Sequence, residues 1–100
     1  MDKIESIVKE RGSTYGHPLE DFTRSTTMLS ALGYRFIDAN GITRDLNALD
    51  IPIIMCCIKL AREVHMHNQD NLDDISGYVK CADMCREKLK QQFNELSDKK

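Results

Sequence analysis

The chain has 100 residues, which is enough for one domain with a single hydrophobic core. Hydrophobic residues make up 41% and charged residues 30%, a composition typical of soluble globular proteins. Lys and Arg number 14 and Asp and Glu 16, so the net charge of −2 gives no electrostatic footprint for duplex nucleic acid. We therefore expect no duplex nucleic acid among the partners.

The N-terminal sequence and the apolar runs predict the localisation. Met1 to Glu5 carries charges where a signal peptide has its apolar core. The longest apolar run has about eight residues, against the roughly 18 that a membrane-spanning helix needs. The four cysteines include no C-x-x-C pair and fit a reducing compartment. We predict a cytoplasmic protein without a membrane partner.

The first predicted element is a short helix over Asp2 to Glu10, in which Ile4, Ile7 and Val8 have helical spacing. Two glycines and a proline between Arg11 and Pro18 predict a loop that ends this helix. The loop is either a ligand-binding segment or a simple connection whose glycines only make the turn. The loop carries several side chains that commonly bind ligands, among them Arg11, Tyr15 and His17.

A second helix is predicted to begin after Pro18 and to kink or end at Gly33. The pair Asn40 and Gly41 predicts a turn within a loop over 38–47. The third helix is predicted to begin near Ile51, with Asp50 as the capping residue that accepts backbone N–H groups. Because this helix starts with apolar residues on every side, it should be buried against more than one neighbour.

A polar turn from His65 to Asn71 separates the third helix from a fourth one. Apolar residues in the fourth helix recur every three or four positions and predict one buried face, formed by Ile75, Val79, Ala82, Cys85 or Arg86, Leu89 and Phe93. The sequence thus predicts an all-α bundle of about four helices, with one domain over 1–96 and a frayed tail over 97–100.

Two further predictions concern packing. The third helix offers more apolar surface than three short neighbours can cover, so we expect a homo-oligomer. The cysteines, namely Cys56, Cys57, Cys81 and Cys85, are expected to be core thiols that bind no zinc and form no disulfide.

The turn between the third and fourth helices is the main candidate site. Antiparallel helices joined so closely should bring Lys59, Arg62 and Glu63 near three aspartates of the fourth helix, Asp70, Asp73 and Asp74. The cations are either phosphate-binding groups or members of ordinary surface ion pairs. These carboxylates, with Glu20 and Asp21 at the start of the second helix, are either ligands of a magnesium site shared by the second, third and fourth helices or acidic caps on a solvated face.

Several motifs together resemble a known family. They are Arg11-Gly12-x-x-Tyr15-Gly16 with Phe22, Lys59-Leu60-Ala61-Arg62-Glu63, Asp70-x-x-x-Asp74, and Asp74-Ile75-x-Gly77-Tyr78. From Glu10 to Leu89 the chain resembles small, largely uncharacterised phage-borne proteins that are similar to MazG-like all-α nucleoside triphosphate pyrophosphohydrolases.

The resemblance implies a helical oligomer that uses magnesium to split a nucleoside triphosphate into a monophosphate and pyrophosphate. The metal ligands would then be Glu63, Asp70 and Asp74. The MazG-like signature has a Glu-Glu-x-x-Glu helix followed by Glu-x-x-Asp. This chain has Lys59-x-x-Arg62-Glu63 and Asn71-x-x-Asp74 instead, so basic residues stand where acidic ligands are expected.

We therefore predict a protein that binds a phosphorylated nucleotide-type ligand without hydrolysis and without a cofactor. An example is a phage protein that sequesters a nucleotide signal of host defence in the host cytoplasm. The alternatives are a magnesium-dependent pyrophosphohydrolase and a structural or protein-binding helical module. The predicted ligand-binding residues are Arg11, Tyr15, His17, Lys59, Arg62, Asp74 and Tyr78.

Overall fold

The computed structural model describes residues 2–98 and contains four α helices and one two-stranded sheet in that range. The helices are α1 (Lys3–Tyr15), α2 (Pro18–Ala31), α3 (Asp50–His65) and α4 (Gln69–Asp98). Strands β1 (Phe36–Ile37) and β2 (Thr43–Arg44) lie between α2 and α3 and pair antiparallel. The predicted all-α class with four helices is confirmed. No helix in the described range combines the length and apolar character that crossing a bilayer requires.

Helix α1 is longer than predicted, and the predicted loop over 11–18 is wrong. The Asp2 side chain caps the helix by accepting the Glu5 N–H at 2.8 Å. The helix then continues through Gly12 to Tyr15, although glycine costs about 1 kcal/mol in a helix interior. Its contacts with α4 compensate for that cost. Only Gly16, with a φ of 83°, and the following histidine connect α1 to α2.

Helix α2 ends at Ala31, and Gly33 adopts a φ of 96° just beyond it, as predicted for its end. The predicted turn at Asn40 and Gly41 is confirmed, but it closes a β-hairpin rather than an irregular loop. Asp38 Oδ1 shapes this turn by accepting the backbone N–H groups of residues 40 and 42 at 2.8 and 3.0 Å.

An ion pair attaches the hairpin to the start of α3. Arg44 donates from both terminal nitrogens to the Asp50 carboxylate at 2.8 Å, and its guanidinium lies 4.2 Å from the Phe36 ring centroid. The arginine holds the pKa of Asp50 below its usual range. Asp50 also accepts the Asn47 N–H, while Leu49 occupies the N-cap position. Asp50 is therefore the first residue of α3 rather than its predicted cap.

We expect Arg44→Ala to destabilise the protein because it leaves the buried Asp50 carboxylate without its charged partner. A matched control is Arg35→Ala, since Arg35 pairs at 2.8 Å with Asp45, which is largely exposed. In urea denaturation, Arg44→Ala should lower the midpoint several times more than Arg35→Ala. Equal losses would contradict the anchoring role of the Arg44–Asp50 pair.

The core lies where α2 and α3 pack on α4. Its buried apolar residues are Leu19, Phe22, Ile51, Tyr78, Cys81 and Cys85. The buried face predicted for α4 is only partly right: Cys85 is buried, but Val79 and Phe93 are 55% and 69% exposed. The helix instead buries Gly77, Tyr78 and the two cysteines, so its packed face contains an aromatic ring and small residues.

The four cysteines are free thiols with different environments. Cys81 and Cys85 are buried, which confirms the prediction for them, and burial raises the pKa of Cys85 to about 11. Cys56 is half-buried and burial raises its pKa as well. Cys57 is exposed, so its prediction as a core thiol is wrong. It lies at the edge of the exposed side of α3, where it lines an open groove with Val79 and Ala82 of α4.

That side of α3 is an open apolar surface. We call it the outer face of α3; its exposed residues are Ile53, Ile54, Cys57, Ile58, Leu60 and Val64. Ile53 is 61% exposed and Val64 is 89% exposed. As predicted, α3 packs against more than one neighbour, since it contacts both α2 and α4. It is not buried on every side in the single chain, because this outer face is exposed.

Candidate functional site

A small cleft lies where all four helices meet, and we call it the four-helix cleft. Helices α1 and α2 contribute most of its polar groups, while α3 and α4 supply apolar and aromatic walls. Its volume is about 170 Å³, and its lining residues are Arg11, Tyr15, Asp21, Phe22, Ser25, Ile51, Met55 and Tyr78. The cleft therefore combines charged and aromatic side chains above the core.

The arginine of the cleft is held by two aromatic rings. The guanidinium carbon of Arg11 lies 4.6 Å from the Tyr78 ring centroid and 5.5 Å from that of Tyr15. Because α1 remains helical, Arg11 and Tyr15 lie one turn apart on the same face. Within residues 2–98, no hydrogen bond or ion pair involves the Arg11 guanidinium. Its orientation is fixed, and its N–H donors are available to a ligand.

An acidic side chain lines the same cleft. Asp21 is half-buried, and in the described range its carboxylate takes part in no hydrogen bond or ion pair. Its backbone carbonyl accepts the Ser25 hydroxyl at 3.2 Å. Burial raises the pKa of the nearby Cys81 thiol, and the charge of Asp21 raises it further while that of Arg11 lowers it. Both charges thus lie near enough to Cys81, in the core beside the cleft, to affect its pKa.

An ion pair lies one helical turn along from the cleft. Lys59 Nζ is 2.8 Å from Asp74 Oδ2, which confirms that the end of α3 approaches the start of α4. Lys59 follows the cleft residue Met55 by four positions, and Asp74 precedes Tyr78 by four. The pair therefore lies beside the cleft, and Arg62 is exposed in the last turn of α3.

Two of the three carboxylates proposed as metal ligands, Glu63 and Asp74, have other partners. Glu63 lies 2.8 Å from His67 Nδ1 and accepts the Asn68 N–H at 2.8 Å, and Asp74 pairs with Lys59. Between residues 2 and 98, no three His, Cys, Asp or Glu side chains are grouped in a way that could hold a metal ion. The donor set of Glu63, Asp70 and Asp74 therefore does not fit a magnesium site in this chain.

His17 lies outside the four-helix cleft and caps α2. Its Nδ1 accepts the Leu19 N–H at 3.1 Å, so the neutral ring carries its proton on Nε2. It lines a larger open groove of about 540 Å³, whose other lining residues all come from α4: Lys80, Asp83, Met84, Glu87, Lys88 and Gln91. Burial, and to a lesser extent Lys88, lowers the pKa of His17.

This cap predicts a pH dependence of stability. Protonation of Nδ1 removes the acceptor, and the folded-state pKa lies below the ordinary 6.5. The stabilisation by the His17 cap is therefore complete above about pH 6.5, the ordinary pKa of histidine, and is lost as the pH falls through the lower folded-state pKa. Between about pH 7.5 and about pH 5, the melting temperature of His17→Asn should fall less than that of the wild type, because asparagine caps without titrating. Equal falls would contradict the role of His17.

The structure separates the seven predicted ligand-binding residues. Arg11, Tyr15 and Tyr78 meet in the four-helix cleft, and Lys59 and Asp74 form the adjoining ion pair. His17 lines the groove along α4, and Arg62 lines neither cavity.

Sequence reasoning did not place Asp21 and Ser25 beside Arg11 and Tyr15, with which they line the four-helix cleft. The available signal was their spacing of four residues, which places both on one face of α2. The sequence predicts Asp21 only as one of several carboxylates that could hold magnesium.

Comparison with known proteins gives a family but no activity. No curated protein and no solved structure matches the chain. The family described as "Domain of unknown function (DUF6378)" matches residues 1–86, and these residues include every lining residue of the four-helix cleft. The chain belongs to the DUF6378 family.

Proposed function

We propose that this protein binds a phosphorylated nucleotide-type ligand at the four-helix cleft and does not hydrolyse it. The observation that carries the proposal is the Arg11 guanidinium, which is held between Tyr15 and Tyr78 with no hydrogen-bond partner in the described range. A fixed arginine with unused donors is suited to an anionic or carbonyl-bearing ligand.

The size of the cleft indicates how such a ligand would bind. Its volume of about 170 Å³ is below the roughly 300–1,000 Å³ of pockets that enclose a whole small molecule. The cleft can therefore take a flat group such as a base, which would stack on the half-exposed ring of Tyr15. The phosphate would then lie outside, along α3, where Lys59 and Arg62 supply positive charge.

Binding without turnover fits the site better than hydrolysis. The magnesium-dependent pyrophosphohydrolase implied by the MazG-like resemblance requires convergent carboxylates, and the residues described here supply no such group. A phage origin and the sequestration of a host-defence signal remain part of this proposal, and they rest on the sequence resemblance alone.

A thermal-shift screen tests the proposal. Mononucleotides, triphosphates and cyclic dinucleotides are added to the purified protein with and without magnesium. A ligand at 100 times its dissociation constant stabilises the folded state by about 2.7 kcal/mol, so the melting temperature should rise clearly. Chromatography of the same mixtures should show intact nucleotide. No shift with any nucleotide would leave only the structural or protein-binding alternative, and release of pyrophosphate would favour the enzyme.

We also propose that the chain forms a dimer or larger oligomer through the outer face of α3. Its exposed isoleucines and valine offer apolar surface whose removal from water contributes about 25 cal/mol per Å². Light scattering at micromolar concentration should give at least twice the mass of one chain. Ile53→Asp should reduce that mass, whereas Leu96→Asp, at a similarly exposed leucine near the end of α4, should not. A wild-type monomer would contradict the assembly.

A further inference from the structure

We propose that the four-helix cleft selects a guanine base, with Arg11 donating to guanine O6 and N7 and Asp21 accepting from N1–H and the 2-amino group. This inference rests on the proposed nucleotide binding and specifies the ligand at the same site. The inference starts from two side chains of opposite charge, Arg11 and Asp21, that line one small cavity. Between residues 2 and 98, neither side chain takes part in a hydrogen bond or ion pair.

The first recognition element is the fork of Arg11. A guanidinium presents parallel N–H donors, and its commonest specific partner among bases is the O6 and N7 edge of guanine. The rings of Tyr78 and Tyr15 hold the Arg11 plane, with centroid distances of 4.6 and 5.5 Å, so little side-chain entropy remains to be lost on binding. Tyr78 is only 6% exposed and is fixed by the core.

The second element is the carboxylate of Asp21. A carboxylate accepts two parallel hydrogen bonds, and guanine offers two adjacent donors at N1–H and its 2-amino group. The N1–H and 2-amino donors lie on the edge of guanine that is adjacent to the O6 and N7 edge. A guanine that accepts hydrogen bonds from Arg11 through O6 and N7 therefore presents both donors on its neighbouring edge. Asp21 lines the same cleft from α2, whereas Arg11 lines it from α1. A ligand between the two helices can therefore satisfy both charges.

Adenine and cytosine match this pair less well. Adenine has an amino donor where guanine has O6, so it would direct a donor at Arg11, and it lacks the 2-amino group. Cytosine also carries an amino donor at the corresponding position. A site built to form hydrogen bonds rejects analogues that leave its polar groups unpaired. The loss of affinity for adenine and cytosine, relative to guanine, should therefore be larger than differences in base stacking alone would cause.

Isothermal titration calorimetry with three mononucleotides tests the inference on the wild-type chain. Guanosine 5′-monophosphate should bind most tightly. Inosine 5′-monophosphate, which lacks only the 2-amino group, should bind about tenfold more weakly, because one charge-assisted hydrogen bond is lost. Adenosine 5′-monophosphate should bind about a hundredfold more weakly, because the contacts to both Arg11 and Asp21 are changed.

The variant Asp21→Asn tests whether Asp21 causes the preference for guanosine over inosine 5′-monophosphate. This variant keeps the side-chain shape but removes the charge, so the guanosine-to-inosine affinity ratio should fall from about ten to about one. Glu20→Gln is the matched control, because Glu20 is exposed, lies 3.4 Å from Lys88 and does not line the cleft. It should keep the wild-type ratio.

The possible outcomes separate this inference from the proposed function. Equal affinity for all three nucleotides would overturn guanine selection while nucleotide binding stands. No heat with any nucleotide would overturn both. A guanosine-to-inosine ratio that is unchanged in Asp21→Asn would overturn the role of Asp21. The comparison of nucleotides needs no variant, so its result does not depend on whether Asp21→Asn folds.

Discussion

Phe22→Ala should lower the free energy of unfolding by about 3–5 kcal/mol. Phe22 is 2% exposed, and it belongs to the core cluster formed with Tyr78, Ile51 and the two buried cysteines. Removing the ring loses the free energy gained by transferring it from water to the core. It also leaves a cavity that the rigid helices cannot fill. Since small domains have a total stability of about 5–15 kcal/mol, the variant should be close to unfolding at 37 °C, as measured by urea denaturation followed by circular dichroism.

The chain offers a matched control for this prediction. Phe93 is the same residue type on α4 and is 69% exposed. Phe93→Ala should change the free energy of unfolding by about 0.5 kcal/mol or less, which is usual for surface substitutions. Similar losses for the two variants would contradict the position of the core between α2, α3 and α4.

Arg11→Ala should weaken nucleotide binding by about tenfold to a hundredfold, because it removes the charge-assisted donors of the four-helix cleft. Arg11→Lys should recover only part of the affinity, since lysine keeps the charge but lacks the planar fork and the stacking on Tyr78. Isothermal titration calorimetry measures both variants. Their urea midpoints separate a loss of binding from a loss of folding.

Arg86→Ala provides the reference for this experiment. Arg86 is an exposed arginine of α4 that lines neither the four-helix cleft nor the groove along α4. Its substitution changes the net charge as much as Arg11→Ala does, but the affinity should stay within about twofold of the wild type. If the two variants lost equal affinity, the effect would come from overall charge, and Arg11 would have no specific role.

The four helices were predictable because their periodicity and start signals are local properties of the sequence. The length of α1 was not, because Gly12 and Gly16 both appear as helix breakers in isolation. Only Gly16 adopts a positive φ, and contacts between α1 and α4 keep Gly12 helical. The sequence pattern treats the two glycines alike, and tertiary packing determines that the helix continues through Gly12 and ends at Gly16.

The packed face of α4 was mispredicted for a related reason. The pattern favours Val79 and Phe93, which are large and apolar, but the core uses Tyr78 and Cys81 together with the predicted Cys85. These residues rank lower in hydrophobicity, yet they form a continuous strip at the same helical spacing. Which of two strips is buried depends on the neighbouring helices, and this information is not local.

About half of the candidate site followed from sequence. The prediction of Arg11, Tyr15 and Tyr78 as members of one site came from motif resemblance, and the structure places all three in one cleft. The pair of Lys59 and Asp74 followed from the hairpin geometry of α3 and α4. Asp21 was not predicted beside Arg11, because the packing of α1 on α2, which brings both residues into one cleft, is not a local property of the sequence.

The three tyrosines of the chain allow a direct test of nucleotide binding at the four-helix cleft. Tyr15 and Tyr78 line the cleft, whereas Tyr34 is 60% exposed beyond the end of α2 and does not line it. In protein labelled only on tyrosine, titration with guanosine 5′-monophosphate should shift the ring resonances of Tyr15 and Tyr78 and leave those of Tyr34 unchanged. Unchanged resonances for all three rings, or a shift of Tyr34 alone, would contradict binding at the cleft.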